Sequence, residues 1–149
     1  MVQRIQSVYL LVVAALCGVM FFTDLMWYGV EGKQLYLSAL QLTCEGEVLG
    51  STPIYFPILL GAATLLPFVT IFLFKRRMLQ IRFCAVEMVL LVGCLAMEAM
   101  LYWGKQGDFT AGALTPAAFL PLLSLLLVWL AARAIFKDEM LVRSLDRIR

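Results

Sequence analysis

Four apolar runs dominate the chain, at residues 8–28, 53–74, 83–103 and 114–136, and polar breaks separate them. A bilayer-spanning helix needs about 20 mostly apolar residues, so the runs predict four transmembrane helices. The second break, Lys75-Arg76-Arg77-Met78-Leu79-Gln80-Ile81-Arg82, is a short basic hinge that returns the chain antiparallel. The first, residues 29–52, is longer and carries Glu31, Lys33, Gln34, Gln41, Glu45 and Glu47. Within it, 34–44 is rich in Leu, Tyr and Thr, with Glu31-Gly32 and Glu45-Gly46 as turns on either side. A small hairpin-like cap or a short surface helix is expected there. The third break, 104–115, is glycine-rich and holds Lys105 and Asp108. The expected fold is an all-α membrane protein, a four-transmembrane-helix antiparallel bundle in one domain over 1–149. Leu141, Leu145 and Ile148 recur at helical spacing in the tail, 137–149, which reads as an amphipathic basic helix.

Charge gives the runs a direction. Short loops rich in Lys and Arg stay on the cytoplasmic side. With the hinge residues Lys75, Arg76, Arg77 and Arg82 inside, Arg4 and the cations from Arg133 to Arg149 also fall inside. Ten of the twelve cations then obey the rule, and only Lys33 and Lys105 lie outside. Both termini are therefore expected in the cytoplasm of a bacterial inner membrane. The lipid bilayer, with anionic lipids in its inner leaflet, is the first expected partner.

Composition narrows the chemistry. Of 149 residues, 63% are hydrophobic and 15% charged, and there is no histidine. That removes Ser-His and Cys-His nucleophile pairs and His-ligated zinc or haem. The four cysteines form no Cys-x-x-Cys pair, and no glycine-rich phosphate loop or acidic metal cluster is present. No cofactor, metal, catalytic residue or nucleic-acid partner is expected. Ala14 and Gly18 have the small-xxx-small spacing that lets helices approach closely. Pro67, mid-run, is expected to bend its helix.

Glu87 and Glu98 are the residues the third run has to explain. Eleven positions apart, they return to within about 20° of one face and stand roughly 16 Å apart along the axis, with Cys94 on the same stripe. A carboxylate facing lipid is costly, so the stripe is expected to face the interior, a cavity or a partner subunit.

The opening Gln3-Arg4-Ile5-Gln6-Ser7-Val8-Tyr9-Leu10-Leu11 and the closing Arg133-Ala134-Ile135, Lys137-Asp138-Glu139 and Leu141-Val142-Arg143-Ser144-Leu145-Asp146-Arg147-Ile148-Arg149 resemble a family of small Bacteroidota membrane proteins, the domain of unknown function numbered 4293. The resemblance implies four spans and an inner-membrane home. It brings no activity. Both signature segments fall on the cytoplasmic side of the expected topology, making Arg4, Arg143, Asp146 and Arg147 candidates for one docking surface. The leading expectation is a non-enzymatic accessory or scaffold subunit of a membrane assembly, with other membrane subunits or copies of itself as partners. The alternative is a small oligomeric transporter or proton-coupled component using Glu98 and Glu87.

Overall fold

The computed structural model describes residues 2–30, 33–73, 76–105 and 111–146. In chain order the elements are helix α1 (Val2–Val19), strands β1 (Asp24–Val30), β2 (Lys33–Ser38), β3 (Gln41–Cys44) and β4 (Glu47–Ser51), and helices α2 (Tyr55–Phe72) and α3 (Arg77–Lys105). Strand β5 (Ala111–Leu114), a 3-10 turn (Pro116–Phe119) and helix α4 (Leu120–Asp146) complete it. The expected all-α bundle is corrected. The chain pairs four helices with a five-stranded antiparallel sheet in the order β4-β3-β2-β1-β5.

Three helical segments, Tyr55–Phe72, Arg77–Gly104 and Pro116–Val142, are long and apolar enough to cross a membrane, and Ile5–Val19 is a shorter apolar helix. The first expected span, 8–28, is thus divided. Helix α1 starts at Val2 and stops at Val19, where the amides of Phe21 and Phe22 turn back to the carbonyls of Gly18 and Val19. The Thr23 hydroxyl also donates to the Val19 carbonyl, at 3.2 Å. Terminal carbonyls satisfied in this way end a helix. The apolar residues that follow then enter β1.

Each helix packs on two others: α1 on α2 and α4, and α3 on α2 and α4. The buried positions step by three and four along every helix: Leu10, Val13 and Cys17; Phe56, Leu60, Ala63, Pro67 and Thr70; Gln80, Cys84, Glu87, Leu91, Cys94 and Glu98; Ser124, Val128, Ala131 and Ile135. That is the spacing of a helix seam. The outer faces are as apolar as the seams, with Leu65, Phe72, Val89, Leu126 and Trp129 all exposed, as suits a helix surface meeting lipid. Gly93 of α3 lies against Leu59 of α2, and Gly18 of α1 against Thr64 of α2. Helix α2 runs on through Pro67.

All four helices meet the sheet at one end, because α1 runs into β1, α2 leaves β4, α3 ends before β5 and α4 begins after it. The inner face of the sheet carries Met26 and Tyr28, opposite Leu37 and Leu35 on one side and Leu114 and Gly112 on the other. The expected 34–44 strand is broken at Ala39-Leu40 into β2 and β3, with Ser38 and Gln41 hydrogen-bonded across the corner. Glu45-Gly46 does form a two-residue turn, both residues at positive φ (50° and 91°), as a type I′ hairpin requires. The Glu31-Gly32 turn lies outside the described residues. At the opposite end, Asp138 of α4 ties three segments together. Gln6 of α1 donates to its carboxylate at 2.8 Å, and Arg77 at the start of α3 donates to its carbonyl at 3.4 Å.

Candidate functional site: a polar column in helix α3

The inward seam of α3 is the most polar surface in the helical interior. At its basic end the Gln80 amide donates to the Thr70 carbonyl at 3.0 Å, satisfying an acceptor near the end of α2. One turn on comes Cys84, then Glu87, which is 1% exposed and has both carboxylate oxygens without a hydrogen-bond partner among the described residues. Neither Arg82, which is exposed, nor Arg77, which is engaged with Asp138, hydrogen-bonds to it. Cys94 follows, within electrostatic reach of Glu87, Glu98 and Cys17. Cys17 of α1 faces Ser124 of α4, its thiol 3.9 Å from the hydroxyl. Glu98 is 4% exposed, and its Oε1 has no hydrogen-bond partner among the described residues.

Glu98 also lines a cavity of 350 Å³ between α3 and the start of α4. Its other walls include Tyr102, Trp103, Leu114, Phe119 and Leu122. Trp103, Leu114, Phe119 and Leu122 are all exposed on the outside of the molecule, so the cavity opens sideways between the helices, next to the sheet. Above it, Tyr28 of β1 stacks on Tyr102 with ring centroids 6.4 Å apart. The Tyr28 hydroxyl donates to the Leu101 carbonyl at 3.2 Å and lies 3.1 Å from the Met26 sulfur. Burial, and then the neighbouring Tyr102, push the Tyr28 phenol up to about 12. The Tyr102 hydroxyl donates to the Gly112 carbonyl at 3.3 Å.

The structure thus brings Glu87, Cys94 and Glu98 onto one buried seam. Of Arg4, Arg143 and Asp146 it describes the backbone alone, and Arg147 and Lys75 lie outside the described residues. Arg76, Arg77, Met78, Leu79, Glu139 and Val142 surround an open depression of 560 Å³ at the basic end. Among the described residues no group of three or more acidic or thiol side chains is placed to hold a metal ion. Reading the sequence missed the cavity, the tyrosine pair and the Asp138 clasp. The last two join residues more than 60 positions apart, which no local pattern signals.

Residues 2–148 match one protein family over nearly the whole chain. The chain belongs to the domain of unknown function DUF4293. No curated protein matches it. The DUF4293 match covers the opening signature, the closing one as far as Ile148 and the column between them, so the seam carrying Glu87 and Glu98 lies within the family's domain.

Proposed function

We propose that this DUF4293 protein is a small, non-enzymatic, multi-pass membrane protein whose working part is the α3 column. It acts as a proton-coupled component that takes up and releases protons at Glu98 and Glu87. The sheet end faces outward, and the basic hinge and both termini lie on the cytoplasmic side of a bacterial inner membrane. The observation that carries the reading is the pair of carboxyl groups buried among apolar helices, with oxygens unpartnered among the described residues. A buried unsatisfied carboxyl costs several kcal/mol, and a chain serving only as packing has no physical need to keep two of them. The order of the seam adds support: Cys94 lies between the two acids, and Cys17, which faces Ser124, is within electrostatic reach of Cys94.

The test is proton flux into liposomes containing the purified chain, driven by a potassium diffusion potential and read with an entrapped pH dye. Flux above that of empty liposomes is expected, falling at least tenfold in Glu98→Gln and Glu87→Gln. Equal flux in wild type and both variants would remove the reading.

A second reading, an accessory subunit docking through its cytoplasmic end, is favoured by the Asp138 clasp, which joins N-terminus, hinge and tail into one surface beside the open depression. Purification from native membranes in mild detergent tests it. A stoichiometric partner lost in Arg143→Ala/Arg147→Ala is the outcome that would favour docking over proton coupling.

A further inference from the structure

The geometry points to the cavity at Glu98 as a binding site for an amphiphilic organic monocation that enters from the bilayer and exchanges with a proton on the Glu98 carboxyl. This deepens the preceding reading and rests on Glu98 as a proton-exchanging group. Three observations carry it. First, the cavity is of ligand size: 350 Å³ lies within the roughly 300–1,000 Å³ of small-molecule pockets. Second, its polar groups are few and unequal. The Tyr102 hydroxyl is already donating to Gly112, whereas Glu98 is buried with an oxygen that has no partner among the described residues. Third, the remaining wall is apolar and aromatic, with Trp103 and Phe119 at the exposed rim. Aromatic faces attract cations, and more strongly where water is excluded. An inorganic cation finds too few oxygens here to replace its hydration shell. A neutral hydrocarbon leaves the carboxyl unpaired. A flat or bulky hydrophobic body bearing one delocalised or quaternary positive charge satisfies both the wall and the acid.

The exchange balances in charge. When the cation seats against the carboxylate, the proton formerly on Glu98 leaves, and when the proton returns the cation is released. Among the described titratable groups, Cys94 interacts with this acid and Tyr102 shares its cavity; Glu87 and Cys17 of α1 reach Cys94, and Tyr28 of β1 stacks on Tyr102. Helix α2 has no titratable side chain between Phe56 and Thr70, and the cavity residues of α4 and the segment before it are apolar. No described cation stands beside Glu98 to pre-empt the ligand.

The experiment is equilibrium dialysis of tetraphenylphosphonium against the detergent-purified full chain, from pH 5 to pH 8. Saturable binding of one cation per chain is expected, tightening as the pH rises, with one proton released per cation in weakly buffered solution. Glu98→Gln should weaken it at least tenfold and Glu87→Gln by less than threefold. Leu122→Trp, which fills the cavity and leaves the acid in place, should also abolish it while the purified chain keeps the wild-type elution volume and helical circular dichroism, so that a folding defect in Glu98→Gln is not mistaken for support. Non-saturable uptake common to all variants, binding indifferent to pH, or binding retained in Glu98→Gln would overturn the site. No binding alongside Glu98-dependent proton flux overturns the ligand alone. Loss of both overturns the proton reading with it.

Discussion

Tyr28 and Gly112 are directly opposed across β1 and β5, and a Cβ built on Gly112 falls 2.9 Å from the Tyr28 ring. The glycine is therefore the floor on which the aromatic ring lies. Gly112→Ala is expected to destabilise the solubilised protein by about 1–3 kcal/mol, read as a fall in denaturation midpoint, because neither strand can retreat without breaking the ladder. The same ring sets a pH limit. With its phenol pushed up to about 12 from an ordinary value of 10, Tyr28 stays neutral when folded in a range where the unfolded chain ionises. The stability it contributes is whole below pH 10 and is lost as the pH rises towards 12. Thermal unfolding across this interval should show a decline that Tyr28→Phe reduces. In the β3–β4 turn, Glu45 holds a positive φ without being glycine. Glu45→Asn is expected to gain up to about 1 kcal/mol in denaturant titrations, less the small contribution of its exposed pairing with Lys33.

Among the elements, α2, α3 and α4 were legible because their apolar runs are uninterrupted and the basic hinge marks where the chain reverses. The seam stripe was legible too, since Glu87, Cys94 and Glu98 share a face by spacing alone. The sheet was not. Leu25-Met26-Trp27-Tyr28 is apolar at every position, so it reads as the end of a helical run, and a register shift between Asp24 and Met26 buries Leu25 beside Met26 and erases the alternation further. Ala111-Gly112-Ala113-Leu114 has no alternating polarity at all and is a strand because β1 offers it an edge. The acidic seam leads to a prediction about α3. Replacing an unpartnered buried carboxyl with an apolar side chain of similar size removes a desolvation cost, so Glu87→Leu should raise the detergent-solubilised melting temperature while abolishing proton flux. A melting temperature that falls instead would indicate that Glu87 is structural.

Across the whole molecule, the two ends differ in kind: hydrogen-bonded strands at one, cationic helix termini at the other. Single cysteines at Ser144 and Glu47, in a chain lacking the native thiols, should distinguish the faces. A membrane-impermeant maleimide applied to intact spheroplasts should label Glu47→Cys and spare Ser144→Cys. The reverse pattern would invert the topology.

The strand order has a consequence for how such a chain is made. Strand β1 sits between β2 and β5, so its second edge is completed by residues that leave the ribosome about 80 positions later. At about 5–20 residues per second, that edge stands open for roughly 4–16 s while the helices from Tyr55 to Lys105 are synthesised. During that interval Tyr28 has no Gly112 beneath it, and Tyr102 is made only near its end. The half-made protein is at its most vulnerable then, offering a strand edge to any neighbouring chain, and a truncation just before Ala111 should capture that state as aggregation or rapid proteolysis.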